Sequence, residues 1–527
     1  MFSYGVADKL NVERLLRHLS KVFLVLFLCR VGLNSLSAQE PPRVDHEMIV
    51  KLKSSVAQTE QDILKVLAES IRFHQFAETL THEKDVEILG FYAWANMYHI
   101  RISEREDFEA KMEALRKLPE VAYVESNYLL SLDTTLEALD YKPAPEDGRD
   151  ETTGKAAVCN DVVVAVIDTG VDDTHVDIKD HLWQNSGEIS DNGIDDDRNG
   201  YVDDTRGWNF VRGDNDPYDD HLHGTHVSGI VLSKQNPLNP FIKIMPVKFL
   251  NSAGEGVTSD AIRAIDYALS NGARILNNSW GGGSYSAALR DAIVSSYQGN
   301  RIFVVSAGNS AIDMDQYPSY PPSYLVPNMI SVAALDDRDS LAWFSNWGPL
   351  TVHVGAPGVS IRSSVPKEMC GSPPCYGYLS GTSMSAPYVS GVSAMMLCEN
   401  PGLMHLQVKK IVMETSVSNA TLAGKIGQGS VSDENAILMA ANTDADTGDI
   451  PAYTPSSIPN PVGGDPDDSL YAATTMGCGA IVDKMNRSGG GGPAAGSGLF
   501  LFSWPFLFAL MLRFFLPHRR RKILFYP

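Results

Sequence analysis

The chain has 527 residues, 44% of them hydrophobic and 20% charged, which is enough for more than one domain with a real core. Asp and Glu number 64 against 43 Lys and Arg, a net charge of −21. That balance excludes nucleic acid as an expected partner, because binding there rests on neutralising phosphates, whereas it favours solubility and suits calcium.

At the N-terminus, Arg14, Arg17 and Lys21 precede the apolar run Val22 to Leu28, and the small residues Ser35, Ser37 and Ala38 follow. The pattern predicts a signal peptide over residues 1–38, with an N-terminal membrane anchor as the alternative. Residues 43–131 read as strand (MIVKLK), helix (62–80), strand (86–91), strand (MYHIRIS), helix (106–117) and strand (AYVESNY). That β-α-β-β-α-β order predicts a small ferredoxin-like α+β domain. Residues 132–154, rich in Asp, Glu, Pro and Thr, read as a linker.

From 155 to 440 the rhythm changes. DVVVAVI, KIMPVKFL, ARILNNS, RIFVVSA and MISVAAL are continuous apolar runs, separated by helical stretches such as 257–271 and 285–298. Strands buried on both faces read this way, so the expected fold class is α/β, a parallel sheet flanked by helices. Residues 441–498 turn to Asp, Pro, Gly, Ser and Thr and predict a flexible linker ending in Gly489 to Gly492. Residues 499–527 carry an apolar stretch, broken by Pro505 and Arg513, and the basic cluster HRRRK. The stretch is about long enough to span a membrane with the cluster on the cytoplasmic side. Cys370 and Cys375 enclose a short Gly-Ser-Pro-Pro loop and read as a disulfide, with free thiols as the alternative. The cysteine spacing matches no zinc site.

A serine hydroxyl is a poor nucleophile until a neighbouring base takes its proton, and that base needs a carboxylate to fix its tautomer. In an open parallel sheet the place to assemble such groups is the carboxyl ends of the strands. Asp168 ends DVVVAVI, His223 lies in HLHGTHVSG where a loop enters a helix, and Ser383 lies in LSGTSMSAPYVSG at another helix start. Asn309 follows RIFVVSAG and offers an amide to a developing oxyanion. Singly, each has an ordinary alternative as a cap or turn former. A lipase or esterase with the same residue types would show G-x-S-x-G and the order Ser, Asp, His, whereas Ser383 stands in G-T-S-M-S. A catalytically silent binding module would lack one of the three residues, and a surface adhesion protein finds support in the tail alone.

Together VIDTGV, HGTHVSG, SAGN and GTSMSAPYVSG resemble the four signature blocks of the subtilisin-like serine proteases, in the same Asp, His, Ser order. The resemblance covers roughly 155–440 and implies a subtilisin-like parallel sheet. It implies Asp168 as orienting carboxylate, His223 as general base and acid, Ser383 as nucleophile and Asn309 as oxyanion donor. His226 is then structural, and His221 has no motif support. Protein or peptide substrates would bind as an added strand between Ser279-Trp280-Gly281 and the loop from Gly254 to Gly256, with Ser306, Ala307 and Gly308 lining the primary pocket. Trp280 is larger than the residue usual at its place, and a core position is its alternative. Residues 43–131, closing in LPEVAYVESNY, resemble the subtilisin propeptide, an inhibitor and folding template removed by the enzyme itself; the cut is expected between 131 and 155. The C-terminal tail resembles bacterial sorting tails, with a permanent membrane helix as the alternative. These resemblances imply a secreted or cell-surface bacterial enzyme acting as a monomer.

The stretch SDNGIDDDRNGYVDDTRGWNF between Asp168 and His223 is longer than in minimal subtilisins. Asp195, Asp197 and Asn199 alternate before Gly200, with Asp203 beyond, and resemble the start of a calcium loop. Arg206 stands where a bidentate Glu would complete it, and a solvated acidic loop is the alternative. Asp177 matches a further calcium ligand of the family.

Overall fold

A computed structural model describes residues 41–53, 86–92, 94–104, 107–118, 121–132, 159–234, 241–369, 373–446, 448–451 and 453. Strands β1 (Arg43–Leu52), β2 (Val86–Tyr92), β3 (Met97–Ile102) and β4 (Val121–Ser131) form an antiparallel sheet in the order β2-β3-β1-β4, with helix α1 (Phe108–Arg116) packed on β4. This is the strand order expected of a ferredoxin-like unit; the segment 62–80, where a helix was expected, lies outside the described residues. Asp107 caps α1 by accepting from the Ala110 N–H (3.1 Å), and Met112 and Leu115 bury against Met48, Val50, Ile100 and Val124.

The larger body contains β5 (Val162–Asp168), β6 (Trp208–Asn209), helix α2 (His223–Leu232), β7 (Ile242–Lys248), β8 (Glu255–Val257), α3 (Thr258–Ser270), β9 (Ile275–Asn278), α4 (Ala287–Gln298), β10 (Ile302–Ser306) and β11 (Met329–Leu335). It continues with β12 (Val354–Pro357), the hairpin β13 (Ile361–Ser364) and β14 (Tyr376–Leu379), and helices α5 (Thr382–Glu399), α6 (His405–Thr415) and α7 (Asp433–Ala441). Seven strands form a parallel sheet in the order β12-β11-β10-β9-β5-β7-β6. Every residue of β10 and β11 is buried, as the apolar runs require. Alternate residues serve opposite faces: Val164 and Val166 join the core with α2, α5 and α6, while Ala165 and Ile167 join the one with α3 and α4.

Two features of this architecture position the site. The strand order runs in opposite directions on the two sides of β5, so Asp168, its last residue, stands at the switch point where such sheets open a crevice. Helix α5 is buried on nearly all sides and packs against β5, β9, β10, β11, β12 and α2. A helix apolar all round must sit in the core, which fixes its N-terminus near the strand ends.

The small sheet is joined to the large body. Strand β4 pairs antiparallel with β8 through Leu129↔Val257, Leu130↔Gly256 and Ser131↔Glu255. Asn127 accepts from the Ser259 N–H and donates to its hydroxyl (2.9 Å each), capping α3, whose own leading residue supplies no side-chain cap. Glu125 accepts from the Ala287 and Ala288 N–H groups (2.9 and 3.3 Å) at the start of α4. Each cap is worth about 1 kcal/mol to its helix.

A disulfide joins Cys159, just before β5, to Cys398 near the end of α5, a pairing the sequence reading missed. Cys375 is disulfide-bonded; Cys370, its expected partner, lies outside the described residues. Among the described residues no helix is long and apolar enough to cross a membrane. The expected leader at 1–38, nearly all of the linker at 132–154 and the apolar tail at 499–517 lie outside them.

Candidate active site

Asp168 is fully buried, and its Oδ1 accepts from the Thr169 N–H (2.7 Å) and lies 2.8 Å from His223 Nδ1. With the Nδ1 proton held on the carboxylate, Nε2 keeps its lone pair; that atom has no partner among the described residues. The contact spans two separate elements, and a third residue fixes their spacing. Buried Asp219 accepts from the Thr225 N–H (2.9 Å) and hydroxyl (2.6 Å) with one oxygen. Its other oxygen accepts from the Thr169 hydroxyl (2.8 Å) and the His221 and Leu222 N–H groups (3.0 Å each). Thr169 in turn accepts from the Gly224 N–H (2.9 Å). At Gly224 a Cβ would lie 2.1 Å from the Gly170 carbonyl oxygen, so only glycine lets α2 approach the end of β5. Leu222 takes a φ of 131°, a strained backbone that the Asp219 bonds hold in place just before His223. Sequence reading missed Asp219; its only signal was an acidic residue ahead of the His block.

Ser383 is the second residue of α5. Pro387, four residues on, has no N–H to give to the Ser383 carbonyl. The Ser279 hydroxyl fills that vacancy (3.0 Å), while the Ser383 hydroxyl donates back to the Ser279 carbonyl (3.0 Å). The seryl proton is therefore directed at Ser279 and not at His223 in this structure. Asn309 Oδ1 accepts from the Thr382 N–H (2.8 Å) and hydroxyl (3.0 Å), and Thr382 also accepts from the Gly308 N–H (2.9 Å). These bonds orient the amide so that its Nδ2 lies 3.4 Å from where a Gly381 side chain would begin.

The expected substrate segments enclose part of the chain itself. Ser131 bridges to Gly281, and the Leu132 N–H donates to the Gly254 carbonyl (2.8 Å), so residues 129–132 run between the two segments. Ser306 and Ala307 are buried at the end of β10, and Gly308 is half-buried. Trp280 takes the core position that was its alternative: the residue is only 1% exposed, and its ring packs edge-on against Phe249 at 4.9 Å between ring centres. Any contact it makes in the groove is through the backbone. His226 is held by the Ile361 and Gly377 carbonyls (3.0 and 3.2 Å), and burial lowers it to about 3, so it stays neutral. Burial also lowers His221, whose ring centre lies 6.4 Å from that of His223.

The acidic loop brings together a different set from the expected one. Glu188, Asp197 and Asp204 offer carboxylate oxygens within 4.8 Å of one another. Asp195 instead accepts from the Asn199 and Gly200 N–H groups (3.0 and 2.9 Å), and Asp203 from those of Asn192 and Gly193 (3.0 and 2.9 Å). Asn199 turns its oxygen to the Tyr201 N–H (2.8 Å) and its Nδ2 to Asp204 (3.0 Å). Asp177 accepts from the Ser364 hydroxyl (3.1 Å) and belongs to no such group among the described residues. Glu188 and Asp197 also accept loop backbone N–H groups, so self-capping does not separate the two sets; of the four expected carboxylate ligands, Asp197 is the one in the cluster. The set is all oxygen, and among the described residues no Lys or Arg pairs with it, which suits a hard cation. Burial raises Asp204 to about 6.

Residues 160–431 match the Subtilase family. The chain is 32% identical over 322 residues to the "Thermophilic serine proteinase" of Bacillus sp. (strain AK1), covering 58% of this chain and 70% of that protein. It is 33% identical over 290 residues to the "Subtilisin-like protease 1" of Plasmodium berghei (strain Anka), covering 50% and 47%. With the "Cell wall-associated protease" of Bacillus subtilis (strain 168) the figures are 35% over 263 residues, 49% of this chain and 26% of that protein. The chain thus spans about half or less of the last two relatives. It belongs to the subtilase family and is a subtilisin-like serine protease.

Replacing Ser279 by Ala leaves the Ser383 carbonyl without a partner in a buried helix end. The expected loss is about 1–3 kcal/mol of stability, read from the denaturant midpoint. An unchanged midpoint contradicts the role assigned to Pro387 and Ser279.

Proposed function

We propose that the chain is a secreted serine endopeptidase, made as a zymogen, with Asp168, His223 and Ser383 as its triad and Asn309 as oxyanion donor. The observation that carries this reading is the Asp168–His223 bond with Nε2 left open. For turnover, the Ser383 hydroxyl rotates from the Ser279 carbonyl to His223 Nε2. As its oxygen attacks the scissile carbonyl the proton passes to Nε2, and the imidazolium is stabilised across Nδ1–H by Asp168. Asn309 Nδ2 and the Ser383 N–H receive the oxyanion. The imidazolium then protonates the leaving amine, and water repeats the sequence on the acyl-enzyme.

In this reading residues 43–131 are the propeptide. The strand 129–132 stands in for substrate, and its pairing with 255–257 is how an extended peptide would bind by strand addition. The caps from Asn127 and Glu125 support a folding role, because a parallel sheet forms slowly and a template lowers the entropy of closing its long loops. Removal by self-cleavage between 131 and 155, secretion to the medium or cell surface, anchoring through the C-terminal tail and a monomeric state complete the proposal. Glu188, Asp197 and Asp204 would hold calcium, whose charge would offset the clustered carboxylates and lock the loop.

A fluorophosphonate probe is expected to label Ser383 in the mature wild type, with hydrolysis of a protein substrate lost in Ser383→Ala. Asn309→Ala retains a remnant about 10²–10³ lower, the penalty known from subtilisin itself. Equal turnover in wild type and Ser383→Ala rules out the triad. Excess chelator is expected to lower the melting temperature of the wild type and to have less effect on Asp197→Asn. Melting that ignores the chelator removes calcium from the account.

A further inference from the structure

Away from the cleft, three residues from separate elements form a chain whose proton positions are dictated by valence. The backbone N–H of Ser331, in β11, donates to His353 Nδ1 (2.9 Å), and His353 Nε2 lies 3.0 Å from Lys409 Nζ on α6. A backbone N–H has only a proton to give, so Nδ1 must use its lone pair. The single proton of the neutral imidazole then sits on Nε2. An Nε2–H can bond only to a lone pair, and an ammonium group has none. The geometry therefore requires Lys409 to be an uncharged amine.

The surroundings agree. His353 is buried, and Lys409 is half-buried along its length. Burial pushes Lys409 down to about 7 with no charged neighbour acting on it. Burial, the larger cause, holds His353 well below its ordinary value, in keeping with a neutral ring. Helix α6 packs against β10, which carries no acidic residue, and against α5 and α7. At the start of α7, Asp433 pairs with Lys234 (2.8 Å); on α6 itself Glu414 faces Lys410 (3.9 Å). No carboxylate is in place to hold an ammonium there among the described residues.

We propose that Lys409 keeps a free, nucleophilic amine at neutral pH and is the site at which the folded protein reacts with small acyl electrophiles. With an acid anhydride, the Nζ lone pair attacks the acyl carbon and an N–C bond forms. The C–O bond to the leaving carboxylate breaks, and the surplus Nζ proton passes to solvent. An ordinary lysine, with a pKa of about 10.4, has well under 1% of its amine free at pH 7. Its neighbour Lys410, exposed on the same helix, is the internal reference.

The test is competitive labelling of the folded full-length protein with trace acetic anhydride from pH 6 to 10, read by peptide mass spectrometry. Lys409 is expected to label at least about tenfold faster than Lys410 at pH 7, with a profile that levels off near pH 7–8. His353→Asp supplies a carboxylate for an ion pair, so Lys409 in that variant should fall to the Lys410 rate at pH 7. A wild-type Lys409 that stays unlabelled, or that rises in parallel with Lys410 to above pH 9, overturns the proposal. So does a His353→Asp variant in which Lys409 still levels off near pH 7–8.

Discussion

A buried carboxylate 2.8 Å from an imidazole has to be held there, because neither side chain gains from that spacing unless both backbones are fixed. Asp168 is fixed by lying at the end of a strand paired on both sides, with β7 and β9. His223 is fixed by the Asp219 cluster, which binds the residue after Asp168 to the first turn of α2. Nearly every later feature of the site depends on that arrangement. It sets the tautomer and leaves the buried Nε2 without a hydrogen-bond partner among the described residues.

The Ser383 side is built by a complementary device. Pro387 deprives the Ser383 carbonyl of its helical partner, and Ser279 takes it over from the end of β9. The defect in the helix thus becomes a tie between α5 and the sheet. The same strand end leads directly into Gly281, where residue 131 bridges. The proposed catalytic and binding elements therefore share one support, and a shift in Ser279 would be felt in both.

The sheet was legible because strands buried on both faces must be apolar throughout, and runs such as DVVVAVI and MISVAAL have no other economical reading. The Asp, His, Ser and Asn blocks were legible because each couples a reactive side chain to the glycine that its backbone needs. Other features were hidden for physical reasons. Cys159 and Cys398 are 239 residues apart, and cysteine parity says nothing about which pair meets. Alternating acidic residues suggested ligands at Asp195 and Asp203, but neither is in the cluster, and Glu188 and Asp204 come together only in three dimensions. Trp280 sits in a binding motif, yet the core beside Phe249 outweighs exposure for so large an apolar ring.

The most direct measurement is the ¹⁵N spectrum of the His223 ring in the folded protein at neutral pH. The Asp168 bond requires a protonated Nδ1, with a downfield proton bound to Asp168, and an unprotonated Nε2. An Nε2–H tautomer, or an Nδ1 proton unaffected by Asp168→Asn, would contradict it.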